Sequence, residues 1–101
     1  MKYLVTVQYT TKPGKRQELW DQLEASGIPA FFRTEKGNLH YDYFLPADGN
    51  PDVLWLYELW EDRADQAAHE TTPQFAQLGE ILSAYTVPEK KEIHFYDATE
   101  V

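Results

Sequence analysis

Val53-Leu54-Trp55-Leu56-Tyr57-Glu58-Leu59-Trp60 is an almost unbroken apolar run interrupted by one charge, Glu58. Its aromatic and branched side chains, with no Gly or Pro among them, read as a β-strand. With a period of two, Val53, Trp55, Tyr57 and Leu59 share one face, and Leu54, Leu56, Glu58 and Trp60 share the other. A strand that is apolar on both faces needs a cover on both. Just before it, Pro46-Ala47-Asp48-Gly49-Asn50-Pro51-Asp52 is the densest turn cluster of the chain. Before that turn, residues 39–45 alternate, with Leu39, Tyr41, Tyr43 and Leu45 set against His40, Asp42 and Phe44. The two runs therefore predict a hairpin.

The pattern extends in both directions. Residues 2–9 form a first strand, with Tyr3, Val5, Val7 and Tyr9 on one face and Leu4, Thr6 and Gln8 on the other. Lys12-Pro13-Gly14 ends it. A helix fits 15–25, with Leu19, Trp20 and Leu23 at helical spacing. After the break at Ser26-Gly27-Ile28-Pro29, a helical turn resumes over 30–33, with Pro29 where a helix start tolerates it. Past the hairpin, Glu61 and Asp62 lead into a second helix, polar over 64–71 and reopened by Pro73, where Phe75, Leu78 and Leu82 recur. A last strand covers 92–97, and 98–101 read as a tail.

The resulting order, β-α-β-β-α-β, is the ferredoxin-like arrangement of the α+β class. Two helices can cover one face of such a sheet, and Tyr3, Val5 and Val7 add to the apolar excess. A contiguous apolar patch of that size is unusual on a monomer, and a second copy is the simplest cover. The reading therefore predicts a homodimer packed sheet to sheet.

Composition narrows the function. The 101 residues, 43% apolar and 15% aromatic, suit one packed domain over 1–101 with its core over about 3–97. Nine basic against seventeen acidic residues give a net charge of −8, which repels phosphate backbones and argues against a nucleic-acid partner. The absence of cysteine removes disulfides, thiolate metal sites and cysteine nucleophiles. No apolar stretch approaches the roughly 20 residues of a membrane span, and the first eight residues make a poor signal peptide. The expectation is a small, acidic, cytoplasmic domain without a membrane partner.

Two residues stand out as candidates for chemistry. Glu58 shares a face with Leu54, Leu56 and Trp60. Buried there, it finds a donor or takes up a proton; near the strand end, it could instead cap a helix amide. His69 lies at the Thr71-Thr72-Pro73 break. It either holds the kink by hydrogen bonding or acts as a general base beside an apolar cavity. His40 and His94 read as surface or interface residues. The histidines show no metal-ligand spacing, and 48–52 is a turn rather than a calcium loop, so no metal is expected. Phosphate-loop and nucleophile-elbow motifs are missing as well. Trp20, Phe31, Phe32 and Phe75 are core residues first and pocket walls second.

Three stretches then stand together: Glu35-Lys36-Gly37-Asn38-Leu39-His40-Tyr41, Glu58-Leu59-Trp60-Glu61-Asp62 and His69-Glu70-Thr71-Thr72-Pro73-Gln74-Phe75. In order and spacing they resemble the antibiotic biosynthesis monooxygenase family, over about Tyr3 to Tyr96. The resemblance implies a dimeric α/β barrel with one pocket per subunit between sheet and helices. Members include oxygenases that use no metal, flavin or haem and act on quinols or polyketide phenols. They also include an isomerase of the phosphorylated autoinducer-2 signal, and haem-degrading enzymes. Gly37-Asn38-Leu39, the stretch from His69 to Pro73 and Lys90-Lys91 look most like the isomerase, although Glu89 and Glu92 flank the lysines. The haem branch has an asparagine in the first strand and a histidine beyond Phe75, where this chain has Thr6-Val7-Gln8 and Gln77-Leu78-Gly79.

Three functional readings follow. The first is a cofactor-independent monooxygenase of a small quinol or phenol, with His69 as base and Glu58 orienting it or holding its proton. Trp60, Phe75 and Phe32 would form the walls and Asn38 the donor to the oxyanion. The second is a cofactor-free isomerase of a ketose-like phosphate, with Arg33 and Lys91 binding the phosphate. The third is a dimer that binds a small apolar molecule without turning it over.

Overall fold

The computed structural model describes residues 1–99, so Glu100 and Val101 of the expected tail lie outside the described residues. The elements run β1 (Lys2–Thr10), α1 (Arg16–Ser26), α2 (Ile28–Phe32), β2 (Asn38–Phe44), β3 (Val53–Trp60), α3 (Arg63–His69), α4 (Pro73–Tyr85) and β4 (Glu92–Ala98). A short 3-10 turn over Pro88–Lys90 precedes β4, which takes in Ala98 from the expected tail.

All strands pair antiparallel in the order β2-β3-β1-β4. This is the ferredoxin-like α+β fold. Within one chain the sheet is open, with β2 and β4 as its edges. The apolar run 53–60 takes an interior place in the sheet, between β1 and β2.

The core lies between the sheet and the helices. Val5, Val7 and Tyr9 of β1 and Leu54, Leu56 and Trp60 of β3 pack with Leu19 and Leu23 of α1, Phe32 of α2 and Leu78 of α4. Tyr3, Val5 and Val7 thus belong to the covered side and do not add to the uncovered face. Leu4, Thr6 and Gln8 of β1 lie on that outer face beside Trp55, Tyr57 and Leu59 of β3.

Two departures from simple alternation matter. The β2–β3 register slips between Asn38 and His40, a bulge that takes Leu39 out of line with Tyr41 and Tyr43. Leu39 is accordingly exposed, as is Leu45 beyond the strand end. The helices also leave β4 bare: Ile93 and Phe95 on the helix side are 40% and 45% exposed, and Tyr96 on the other side 49%. Among the described residues no helix is long and apolar enough to cross a membrane.

Candidate functional site

The site begins with how α3 is started and stopped. The Asp62 carboxylate accepts from the backbone N–H groups of Ala64 and Asp65 at 2.8 and 3.1 Å, capping the helix. Glu58, which could have been such a cap, is free for another role. At the far end, the Thr72 hydroxyl donates to the His69 carbonyl at 3.0 Å and accepts from the Phe75 N–H at 3.1 Å. Pro73 then opens α4. One threonine thus joins the end of α3 to the start of α4, and with them fixes the backbones of His69 and Phe75.

The His69 ring is 2% exposed and lies among aromatic rings. Centroids of Phe32, Trp60, Phe75 and Tyr41 stand 4.3, 4.8, 5.2 and 6.2 Å from it. Its Nδ1 is 2.7 Å from Oε1 of Glu35, which is itself largely buried in the loop between α2 and β2. We assign the proton to Nδ1, which donates to the carboxylate and leaves Nε2 with a free lone pair in the neutral ring. Nε2 faces Oε1 of Glu58 at 3.9 Å, too long for a direct hydrogen bond. Trp60 Nε1 donates to that same Oε1 at 3.1 Å.

Glu58 is 6% exposed, and burial pushes its carboxyl up from 4.5 to about 7. The Trp60 hydrogen bond and Lys91 pull it back, while Glu70 and Glu35 add to the rise. Its charge therefore changes near neutrality, where a general acid or base is most useful. Nearby tyrosines stay neutral: burial raises Tyr9 and Tyr41 well above their usual range and lifts Tyr43 to about 12. They can donate a hydrogen bond but do not supply a base.

Glu58, His69, Gln66, Tyr41 and Phe75 line a cavity of about 80 Å³, with Lys91 at its β4 side. The Gln66 side chain lines the cavity, and its amide makes no hydrogen bond to another described residue while none of its polar atoms is sealed away from the cavity. Its amide is therefore available to whatever occupies the cavity. Chemically, the site offers a fixed imidazole base, a carboxyl that titrates near 7 and neutral donors within apolar walls. No three His, Asp or Glu side chains among the described residues gather in a group that could hold a metal ion.

Of the residues singled out in the sequence, His69, Glu58 and Phe75 meet at the cavity. Trp60 and Phe32 are fully buried and pack on the imidazole from behind, without lining the space. Asn38 and Arg33 stand apart from it. The Asn38 amide donates to the Phe32 carbonyl at 2.8 Å, and Arg33 Nε donates to the Tyr41 carbonyl at 2.9 Å. Both anchor backbone: Asn38 satisfies a carbonyl at the end of α2, and Arg33 one on the open side of edge strand β2.

Glu35, Gln66 and Tyr41 were missed. Gln66 had a readable signal, since it sits three residues before His69 and so shares its helix face. Glu35 stands at the head of the family-like stretch 35–41, but its pairing with His69 spans 34 residues and has no local signal.

The antibiotic biosynthesis monooxygenase family matches residues 2–80 of the chain. A provisionally assigned antibiotic biosynthesis monooxygenase from Nitrosomonas europaea is 23% identical, with 96% of this chain and 89% of that chain covered at a TM-score of 0.84. A conserved protein from Methanosarcina mazei Go1 is 22% identical, with 98% and 94% covered and a TM-score of 0.85. SnoaB, a cofactor-independent oxygenase from Streptomyces nogalater, is 16% identical, with 99% and 95% covered at a TM-score of 0.80. At these identities the structural likeness speaks for the fold, while the family match places the sequence. The chain belongs to the antibiotic biosynthesis monooxygenase family.

Proposed function

We propose that this protein is a monooxygenase that oxidises a small quinol- or phenol-type substrate with O2, the substrate itself supplying the electrons. The observation that carries the reading is the buried Glu35–His69–Glu58 array at an apolar-walled cavity. A substrate hydroxyl placed in the 3.9 Å gap reaches both His69 Nε2 and Glu58. His69 takes its proton, Glu35 stabilises the imidazolium, and Glu58 relays the proton onward. The oxyanion so formed is electron-rich enough to reduce O2, and Gln66 and Tyr41 donate to it. One oxygen atom then enters the ring and the other leaves as water, so a hydroquinone plus O2 gives a hydroxyquinone plus water.

The proposal includes a second copy of the chain over the outer face of the sheet, where Trp55, Tyr57 and Leu59 stand beside exposed Phe44 and Tyr96. Isomerisation of a sugar phosphate has less support. Arg33 is engaged with the Tyr41 carbonyl, and Lys91 shares its cavity with Glu58 and Glu70.

The test is oxygen uptake by chelator-treated protein over a panel of hydroquinones and hydroxylated aromatics, wild type beside His69→Ala. The reading predicts protein-dependent uptake without added cofactor, lower by about 10²–10⁴-fold in the variant. Uptake equal in both proteins, or none above background, would overturn it. Substrate binding that survives His69→Ala without turnover in either protein would instead favour a binding module.

A further inference from the structure

The cavity at Glu58 is small. Its volume of about 80 Å³ holds two or three waters at roughly 30 Å³ each, well short of the ~300 Å³ at which small-molecule pockets begin. A second hollow of about 330 Å³ lies farther along the same helix-facing side of the sheet, lined by Arg16, Gln17, Trp20, Tyr43, Phe44 and Leu54. The two are neighbours by register. Tyr43 lies opposite Leu56 and Tyr41 opposite Glu58, while Leu54 is the next inward residue of β3. Same-face neighbours on a strand are only ~7 Å apart.

What divides the hollows is a pair of tyrosines. The Tyr41 and Tyr43 rings meet edge to face at 5.7 Å, and their hydroxyls are 3.3 Å apart. Tyr41 is 1% exposed and faces the small cavity, whereas Tyr43 is half-buried on edge strand β2 and faces the groove. Trp20 stands edge-on to Tyr43 at 5.4 Å and forms the opposite wall. Of the pair, Tyr41 lines only the small cavity and the more exposed Tyr43 only the groove. Arg16 Nη1 donates to the Asn50 and Val53 carbonyls at 2.8 and 3.1 Å, tying α1 to the start of β3 beneath the groove. Leu45, 63% exposed, forms an apolar lip, while Phe44 borders the groove only at the sheet edge and turns its ring to Tyr57 on the outer face.

We infer that groove and cavity are two parts of one substrate pocket, with Tyr43 as the gate between them. The hydroxyl-bearing ring lies against His69 and Glu58, and an apolar extension at least one ring wide lies beside Trp20. Tyr43 is thus a positioning and specificity residue that swings aside to admit the substrate. The inference deepens the oxygenase reading and rests on it for the orientation of the reacting ring.

The test is binding of 1-naphthol under nitrogen, where no turnover can occur, followed by amide and methyl chemical shifts and by Trp20 fluorescence. One saturable event should shift groove residues (Gln17, Leu54) and cavity residues (Leu56, Phe75) together. Gln17→Trp, at an exposed helix position that fills the groove, should weaken 1-naphthol at least tenfold while changing phenol affinity less than twofold. Tyr43→Phe keeps the ring and loses the hydroxyl contact, so 1-naphthol should associate faster with this folded variant. Shifts confined to either hollow, or equal 1-naphthol affinity in wild type and Gln17→Trp, would overturn the joined pocket. Joint shifts in a protein that consumes no oxygen would uphold the pocket and refute the oxygenase reading alone.

Discussion

Glu58 is a carboxyl held where a charge is costly, and its effect on stability has a definite sign. Between pH 4.5 and about 7 the folded chain keeps a proton that the unfolded chain has already released. Unfolding therefore becomes easier as pH rises through that window. Glu58→Gln keeps an acceptor for Trp60 Nε1 and removes the titration. Urea unfolding at pH 5 and pH 8 should show the wild type losing about 2–3 kcal/mol relative to this variant across the interval. Parallel losses in both proteins would mean that Glu58 titrates normally. In turnover, the rising limb of kcat/KM near pH 7 should belong to Glu58 and be absent from Glu58→Gln. Glu35→Gln, which leaves His69 Nδ1 an amide instead of a carboxylate, should lower kcat at least about tenfold and add nothing in a His69→Ala background. Equal additional losses in both backgrounds would show that Glu35 does not act through His69. Legibility at this scale followed locality. Glu58 and His69 betrayed themselves by being polar in apolar or interrupted contexts. Glu35 reaches its partner only through the tertiary fold, and Asn38 and Arg33 looked like ligand donors because the carbonyls they satisfy carry no mark in sequence.

The elements are held to one another at the loop before β2, and this is where the array is most easily disturbed. Gly37 sits at φ +79, a left-handed conformation, and a Cβ there would collide with the Asp65 side chain of α3. Its carbonyl accepts from the Glu61 N–H at 2.7 Å, so the loop carrying Glu35 is clamped to the start of α3. Gly37→Ala should therefore destabilise the fold by about 1–3 kcal/mol in urea. It should also cut kcat more than Asp62→Ala, which removes the helix cap without separating the loop from the helix. An unchanged kcat in Gly37→Ala would show that the clamp does not set the distance from Glu35 to His69. Most elements were legible from periodicity, and β3 was legible to the residue, because the turn cluster 46–52 and the acidic pair Glu61-Asp62 bound its apolar run. The bulge at Leu39 was not, since one unpaired residue leaves the alternating pattern intact while changing which side chains point inward. The bare helix side of β4 was equally hidden: strand pattern shows what a face is made of, and helix placement decides what covers it.

On the scale of the whole molecule, the sheet presents an outer face bearing Trp55, Tyr57 and Leu59 and an edge strand with Ile93 and Phe95 exposed. In the proposed homodimer the second copy covers that outer face. Sedimentation should find a dimer at micromolar concentration, and Tyr57→Lys should shift it to monomer with the fold intact by circular dichroism. A monomeric wild type would show that no second copy covers the outer face. The surplus of apolar side chains was legible as a surplus, although Tyr3, Val5 and Val7 proved to lie on its covered side. Turnover of a hydroquinone under 18O2 is the decisive measurement of the cavity's chemistry. One labelled oxygen is expected in the organic product and one in water, at a rate that depends on wild-type protein and collapses in His69→Ala. An unlabelled quinone formed with stoichiometric hydrogen peroxide, or labelling at the same rate without His69, would contradict it.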